Sequence, residues 1–530
     1  MIKHLFIILA IGLVLVWLLI SQFNGLQFVD AARYADIGRN IFLNQGYISK
    51  FTFPTQILPD ENGWTVNLPP VYPLLIAGSI SVNGINDYSI IYLTIIFSLG
   101  SIILTYLIAK HLFGGKTAFV SALLVLFAPQ LLNYAKDGGA ESLFIFEILL
   151  IIHLILLGKR WSILFAGLVA GLMLFTKLQA LAVLPVLLIW LVVLHKERLK
   201  NVIFFLICPV IMISLNSANI LWGFYKYDFP VYLFLQQTSV FPADNLPRTG
   251  LTKSLGVGFL FEHLLPIFSK LFYNIYNFYK AIFGITNSLP VLTSGLVVTT
   301  YFISLGLIFV KADKTNTKLF RVMSLLLLIS LIVMASVTSP HMRYIHPVIP
   351  ILCILAADFL VKTTEYFFSG KRSQKIFLTS IVLFFAVLPV VSDLVIDQRF
   401  RNVSYNQKRP YAHKVLGQVL SDRFEKGDII VTNLDSWGGW YGDKKNYLIP
   451  LDFDQLDKLD QHSRIQAIYL TDFQIDNPDH PLSGDWDKLF NSNAGNDFIT
   501  DNFVLTEDVV ISADQVYERQ SYRYKIWIRK

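Results

Sequence analysis

Asp30 and Arg33 stand three residues apart in FVDAARYADIGRNIF, the segment that follows the first apolar run of this 530-residue chain. Tyr34, Ile37 and Ile41 recur at helical spacing, with Asp30 and Arg33 on neighbouring turns. The pattern predicts a helix lying along a membrane surface, holding one carboxylate and one guanidinium at the boundary between water and lipid. A carboxylate there can take a proton from an incoming hydroxyl or amine, and an arginine can hold a phosphate. That pairing points to sugar transfer from a lipid phosphate, against the plainer alternative of a solvated pair at a helix start.

Further charges join the candidate site. Asp137 and Glu141 in NYAKDGGAESLF are four apart, so a single helix would put both on one face at the membrane level of Asp30. Lys177 in LFTKLQA and Arg343 in SPHMRYIHPVIP mark the outer ends of other helices. Charges at helix ends can snorkel to headgroups, but lysine and arginine are biased to the cytoplasmic side and these two fall on the other. Asp30, Asp137 and Glu141 are therefore the catalytic candidates, and Arg33, Tyr34, Lys177 and Arg343 the candidates for the donor phosphate. Glu147 and His153 lie deeper in a span and are expected to be structural, neutral and hydrogen-bonded. Asp452-Phe453-Asp454 matches a metal-holding DxD pattern and is expected to be a strand edge or turn. No metal ligand set is assigned; a divalent metal is neither required nor excluded. No Walker loop, GxGxxG, HExxH or CxxC occurs.

The elements that must position these residues follow from composition. With 54% hydrophobic and 15% charged residues and a mean hydropathy of +0.54, this is a polytopic membrane protein. Its formal charge of +7 is spread over short loops, which argues against nucleic acid. Both cysteines, Cys208 and Cys353, sit in apolar runs, so no disulfide framework is expected. The apolar run from Leu5 to Ile20 has Lys3 before it and no small-residue cleavage site after it, and reads as a retained anchor.

Apolar runs of bilayer length recur at 3–22, 88–110, 117–133, 141–157, 163–176, 179–195, 201–222, 286–310, 319–337, 344–362 and 376–394, about eleven helices in all. Basic loops such as Lys110 to Lys116, Lys196 to Lys200, Lys311 to Arg321 and Lys362 to Lys375 all fall on one side, which is then cytoplasmic. Loops 23–87 and 223–285 fall outside, the first carrying a short interfacial helix in LPPVYPLLIAG and the second rich in aromatics from Trp222 to Phe234. Both are expected to cover the outer face. From about Val395 the composition becomes that of a soluble domain: GDIIVTN, NYLIP, QAIYLTD and YKIWIRK read as strands and DQLDKLDQH as a helix. The expected fold class is mainly α, with a membrane domain over 1–394 and a small extracytoplasmic α/β domain over 395–530. Asn402-Val403-Ser404 is a glycosylation sequon of a kind that arises often by chance.

The order of these features resembles the superfamily of dolichyl-phosphate-mannose-protein mannosyltransferases and aminoarabinose transferases, membrane glycosyltransferases of the C-type fold. The likeness rests on Asp-x-x-Arg-Tyr at Asp30, the PPxYP step, the acidic group after the third span, AGLVAGLMLFTK, RYIHPVIP and the exported α/β tail. It implies that Asp30 is the first-loop catalytic aspartate and that Arg33, Lys177 and Arg343 grip the donor phosphate. Family members often carry Asp-Glu where this chain has Asp30-Ala31, and Lys or His where it has Asn67. The expected partners are a polyprenyl-phosphate sugar and a lipid, glycan or protein acceptor, at the outer face of an inner or plasma membrane. The rival readings are a flippase of lipid-linked sugars, a polysaccharide polymerase or ligase, and a structural assembly protein.

Overall fold

The structure, a computed structural model, describes residues 2–20, 24–53, 68–195, 197–215, 234, 238, 258–285, 292–309, 315–338, 340–382, 384, 410–450, 452–473, 482, 484–512, 515–516 and 521–530. Asn67, the aromatic stretch from Trp222 to Tyr232, the Asn402 sequon and the expected boundary near Val395 lie outside the described residues.

The described parts of the predicted spans lie on helices, 117–133 on two of them, while parts of 201–222, 286–310 and 376–394 lie outside the described residues, and further helices occur in the expected outer loops. In chain order these are α1 (Ile2–Ile20), α2 (Val29–Phe42), α3 (Val71–Asn83), α4 (Asp87–Phe113), α5 (Gly115–Leu126), α6 (Pro129–Asp137), α7 (Glu141–Leu157), α8 (Arg160–Leu174), α9 (Ala180–Leu194), α10 (Arg198–Leu215), α11 (Leu264–Ile282), α12 (Gly295–Gly306), α13 (Thr315–Val337), α14 (Ile349–Phe367) and α15 (Lys371–Val382). Among the described residues, four helices are long and apolar enough to cross a membrane: α4, α10, α13 and the run from Met342 to Phe367 that contains α14. The pair α5 and α6 makes a fifth candidate bent by 58°, and five of the remaining apolar helices are shorter. Length and apolarity alone therefore support four or five of the eleven expected spans.

Close approach of α8 and α10 shows how the small residues of AGLVAGLML are used. A Cβ added at Gly167 would run into the backbone carbonyl of Phe205, and one at Gly171 would sit 2.5 Å from the Met212 sulfur. Small residues four apart let two membrane helices pack backbone to backbone. Gly167→Ala is expected to cost about 1–3 kcal/mol of stability through overpacking, seen as a lower melting temperature in detergent. Gly306→Ala, with no atom near its added Cβ, should leave melting unchanged.

Helix α11 reverses the usual amphipathic arrangement. Its Lys270 donates to the Thr338 carbonyl at 2.7 Å and Asn274 to that of Ser336 at 3.0 Å, while Phe272, Tyr273 and Tyr276 are exposed. Polar groups turned inward and aromatics outward suit a helix against lipid.

The C-terminal residues form an α/β unit: α16 (Ala412–Arg423), β2 (Ile429–Thr432), α17 (Ser436–Gly442), β3 (Lys445–Leu448), α18 (Phe453–His462), β4 (Ala467–Thr471), α19 (Asp485–Ser492), α20 (Asp497–Asn502), β5 (Phe503–Ile511) and β6 (Tyr522–Arg529). Four of these strands lie where the alternating runs predicted them. The sheet order is β1-β3-β2-β4-β6-β5, where β1 (Phe51–Thr52) comes from the first loop and pairs parallel to β3, Phe51 opposite Asn446. Strands β2, β3 and β4 are parallel, and β6 joins β4 and β5 antiparallel. Val431, Ile468 and Leu470 face a core with α18 and α19, while Ile430 and Tyr469 face α16 and the first loop. Asp452 is the N-cap of α18, accepting from the Gln455 amide at 2.9 Å, so the DxD pattern is a helix start rather than a strand edge.

Helix α4 fixes where the α/β unit sits. At its first residue, Asp87 accepts from Lys414 at 2.8 Å and from the Trp440 indole at 2.8 Å. At its last, Phe113 lies beside Phe320 and under the Arg321 guanidinium. Twenty-seven residues at 1.5 Å each separate those ends by roughly 40 Å. The α/β unit and α2 are thus at one end of the bundle, and the basic loops around Lys116, which pairs with Glu365 at 2.7 Å, at the other.

Candidate active site

Helix α2 carries the first candidates because its two faces are committed to different partners. Ala31, Ala35 and Tyr34 pack toward α3 and the bundle, Tyr34 edge-on to Tyr72 with centroids 5.4 Å apart. Tyr34 is thereby buried as core. Gly38 lets α3 approach: a Cβ there would lie 2.5 Å from Ile76. Arg39 turns to the α/β unit and Asp36 and Asn40 to the first loop at Ile48, Ser49 and Lys50, which leaves Asp30 and Arg33 on the remaining strip of the helix.

Asp30 meets Arg343. The Arg343 Nη1 donates to the Asp30 carboxylate at 3.0 Å, with 43% of the aspartate side chain and 29% of the arginine side chain exposed. An ion pair that open to water contributes about 0.2–1 kcal/mol, so an incoming anion can replace the carboxylate at little cost. Arg343 sits in the turn Met342–Tyr344 before α14, its guanidinium over the rings of Phe28 at 5.0 Å and Tyr344 at 5.2 Å. Those rings hold the plane of the cation, and the Tyr344 hydroxyl also accepts from Arg343 Nη2 at 3.4 Å.

Lys177 meets Glu141. Both lie at helix ends, Lys177 between α8 and α9 and Glu141 opening α7, and they form a close ion pair with 13% and 4% of their side chains exposed. Arg343 is near enough to act on Glu141 by charge. Asp137 does not share a helix face with Glu141, contrary to expectation. Gly138 adopts φ 76°, a left-handed conformation that ends α6 at Asp137, and α7 starts anew at Glu141. The paired glycines Gly138-Gly139 decide this, since a Cβ at Gly138 would press on Leu26, Ala31 and Ile90. The Asp137 carboxylate makes no hydrogen bond or ion pair among the described residues.

Among the described residues Arg33 has no such partner either. Its Nε is buried without an acceptor, and its guanidinium lies over Phe53 at 5.1 Å and Phe51 at 5.9 Å. Burial pushes its pKa down, while the charges of Asp435 and then Asp30 oppose that. A cation held by ring faces, with its N–H groups uncommitted, is suited to an anionic ligand.

Two groups of residues at this end escaped sequence reasoning. Tyr134 and His346 share a hydrogen bond at 2.5 Å beside the α6–α7 corner. Asp36 and Arg39 repeat the three-residue spacing of Asp30 and Arg33 six positions on, a signal that was available. Glu147 accepts from the Thr176 hydroxyl at 2.9 Å with its other oxygen unpartnered, and the His153 Nδ1 lacks a partner among the described residues. Among the described residues no three His, Cys, Asp or Glu side chains gather as a metal ligand set.

The family model for dolichyl-phosphate-mannose-protein mannosyltransferases matches residues 67–222. Over 160 residues the chain is 27% identical to YkcB of Bacillus subtilis (strain 168), provisionally described as a mannosyltransferase; the match spans 29% of this chain and 22% of that protein. Among solved structures, ArnT of Cupriavidus metallidurans bound to undecaprenyl phosphate is similar over 98% of this chain and 97% of its own, at 13% identity and a TM-score of 0.54. AglB of Archaeoglobus fulgidus, an oligosaccharyltransferase in complex with an inhibitory peptide and a dolichol-phosphate, is similar over 88% of this chain and 70% of its own, at 10% identity and a TM-score of 0.51. The fold is that of the C-type membrane glycosyltransferases, and the chain is an integral membrane protein.

Proposed function

We propose that the chain is an inverting glycosyltransferase moving a sugar from a polyprenyl-phosphate donor to an acceptor on the extracytoplasmic face. The observation that carries this is the Asp30–Arg343 pair, a half-exposed carboxylate beside a cation it holds lightly, with Arg33 on the same helix as Asp30 and Lys177 paired to Glu141, on which the charge of Arg343 acts. The lipid carriers in ArnT and AglB, undecaprenyl phosphate and dolichol-phosphate, are donors' leaving groups of this class. The outer placement is supported by the basic loops lying at the opposite end of α4 from α2 and the α/β unit.

The chemistry follows from charge. A donor phosphate entering the site takes Arg343 from Asp30 and gains Arg33, and the freed carboxylate becomes available to the acceptor. As the acceptor oxygen or nitrogen attacks the anomeric carbon, its proton passes to Asp30. The bond to the phosphate oxygen breaks on the opposite side, so the anomeric configuration inverts. The developing charge on the departing phosphate is met by Arg33, Arg343 and Lys177, the last shared with Glu141. No covalent enzyme intermediate is needed, because a lipid phosphate is already a good leaving group.

Purified protein in nanodiscs, given undecaprenyl-phosphate hexoses beginning with mannose, should release undecaprenyl phosphate and yield a product of inverted configuration by NMR. Retention of configuration would overturn the one-step mechanism. Movement of intact donor across the bilayer without release would favour the flippase.

A further inference from the structure

We propose that Tyr134 and His346 are a positioning pair that fixes the separation between Arg343 and the Glu141–Lys177 pair, and so sets the fit of the site to a lipid phosphate. The inference rests on the reading of Arg343 as a phosphate ligand.

Arg343 and His346 belong to one hydrogen-bonded piece of backbone. The turn Met342–Tyr344 runs into a second turn, His346–Val348, through Ile345 alone. The Tyr344 amide donates to the His341 carbonyl at 3.1 Å, that of Ile345 to Met342 at 2.9 Å and that of Val348 to Ile345 at 3.1 Å, so a shift of His346 passes to Arg343. Tyr134 belongs to the other half of the site. Its carbonyl accepts from the Ser142 hydroxyl at 3.0 Å, and the carbonyl of Ala135 accepts from Thr94 of α4 at 2.8 Å. Ser142 follows Glu141, so Tyr134 is tied to the first turn of the helix whose carboxylate pairs with Lys177. The 2.5 Å hydrogen bond between the Tyr134 hydroxyl and His346 Nδ1 joins the two halves, and the His346–Val348 turn packs on α7.

As a purely structural contact the pair is poor value. His346 is buried, and its Nε2 has no partner among the described residues. A buried polar group left in that state costs about 1–3 kcal/mol, against roughly 0.5–1.5 kcal/mol for the bond that is made. Phenylalanine and leucine would fill the same space with neither effect. What the polar pair adds is a defined length and direction, because a hydrogen bond weakens steeply when bent or stretched. That matters most once the donor has entered. The phosphate takes Arg343 from its pair with Asp30 at 3.0 Å, and the Tyr134–His346 bond then still holds the arginine's turn in register with α7. A small error in such a register is costly to a site that must grip one anion from two sides.

Stability and binding should part company if the pair positions rather than merely supports. Undecaprenyl phosphate binding to the full chain in nanodiscs and melting temperature are read on the same samples of parent, Tyr134→Phe, Tyr134→Phe/His346→Leu, Arg343→Met and Arg343→Met/Tyr134→Phe. Tyr134→Phe and Tyr134→Phe/His346→Leu are expected to bind about 3- to 10-fold more weakly, the loss of one oriented hydrogen bond. Tyr134→Phe/His346→Leu should melt no lower than the parent, since it strands neither polar group. Arg343→Met/Tyr134→Phe should bind no worse than Arg343→Met, because the tyrosine acts through the arginine. Parent-like binding by Tyr134→Phe/His346→Leu, a binding loss there that follows a lower melting temperature, or additive losses in Arg343→Met/Tyr134→Phe overturns the proposal while the phosphate role of Arg343 stands. Parent-like binding by Arg343→Met instead overturns the site reading on which it rests.

Discussion

Asp30→Asn is expected to lower sugar transfer by roughly 10²–10⁴-fold, the contribution of a positioned general base, while undecaprenyl phosphate binds as well as before or better. Asparagine has the shape of aspartate but cannot accept the acceptor's proton. It also ends the ion pair at 3.0 Å that competes with the phosphate for Arg343, so the donor should lose a rival. Single-turnover transfer and lipid binding, measured on the same preparation, read the two halves separately. Unchanged turnover would remove Asp30 from the mechanism, and a matching loss of binding would make it structural.

The second large effect is mechanical. Arg39 is 5% exposed at its side chain and joins the α/β unit to α2: it donates to the Trp440 carbonyl at 2.8 Å, the Gly439 carbonyl at 3.0 Å and Asp36 at 2.5 Å, and pairs with Asp443 at 2.9 Å. Asp36 is fully buried and also accepts from Ser49 at 2.8 Å and the Lys50 amide at 2.5 Å. Arg39→Met leaves that carboxylate uncompensated, and breaking a buried pair from one side costs about 3–5 kcal/mol. The expected result is loss of amide-exchange protection in β1 and α17, with the apolar helices keeping theirs, and a fall in transfer because α2 loses its outer support. Asp36→Leu/Arg39→Met should recover part of the stability, since removing both charges is far less costly than stranding one. If protection in β1 survives Arg39→Met, the junction is held by the surrounding apolar contacts instead.

The two halves of the site differed in how legible they were. Periodicity alone determined α2, the apolar helices, four tail strands and the helix over DQLDKLDQH, because a buried stripe or an alternating face is written into local residue order. The scarcity of cations at that membrane end singled out Lys177 and Arg343, and the helical spacing of a surface segment singled out Asp30 and Arg33. The pairings were not local. That Arg343 holds Asp30, and Lys177 holds Glu141, depends on how helices far apart in the chain pack, which spacing does not encode. Nor does spacing of four put Asp137 and Glu141 on one face once Gly138 turns left-handed between them. The union of Phe51–Thr52 with β3, and the burial of Asp36 and Arg39 beneath Trp440, were decided only by the tertiary structure. Backbone hydrogen bonds and a buried charge find their partners across nearly 400 residues there, and no window along the chain contains both sides of such a contact.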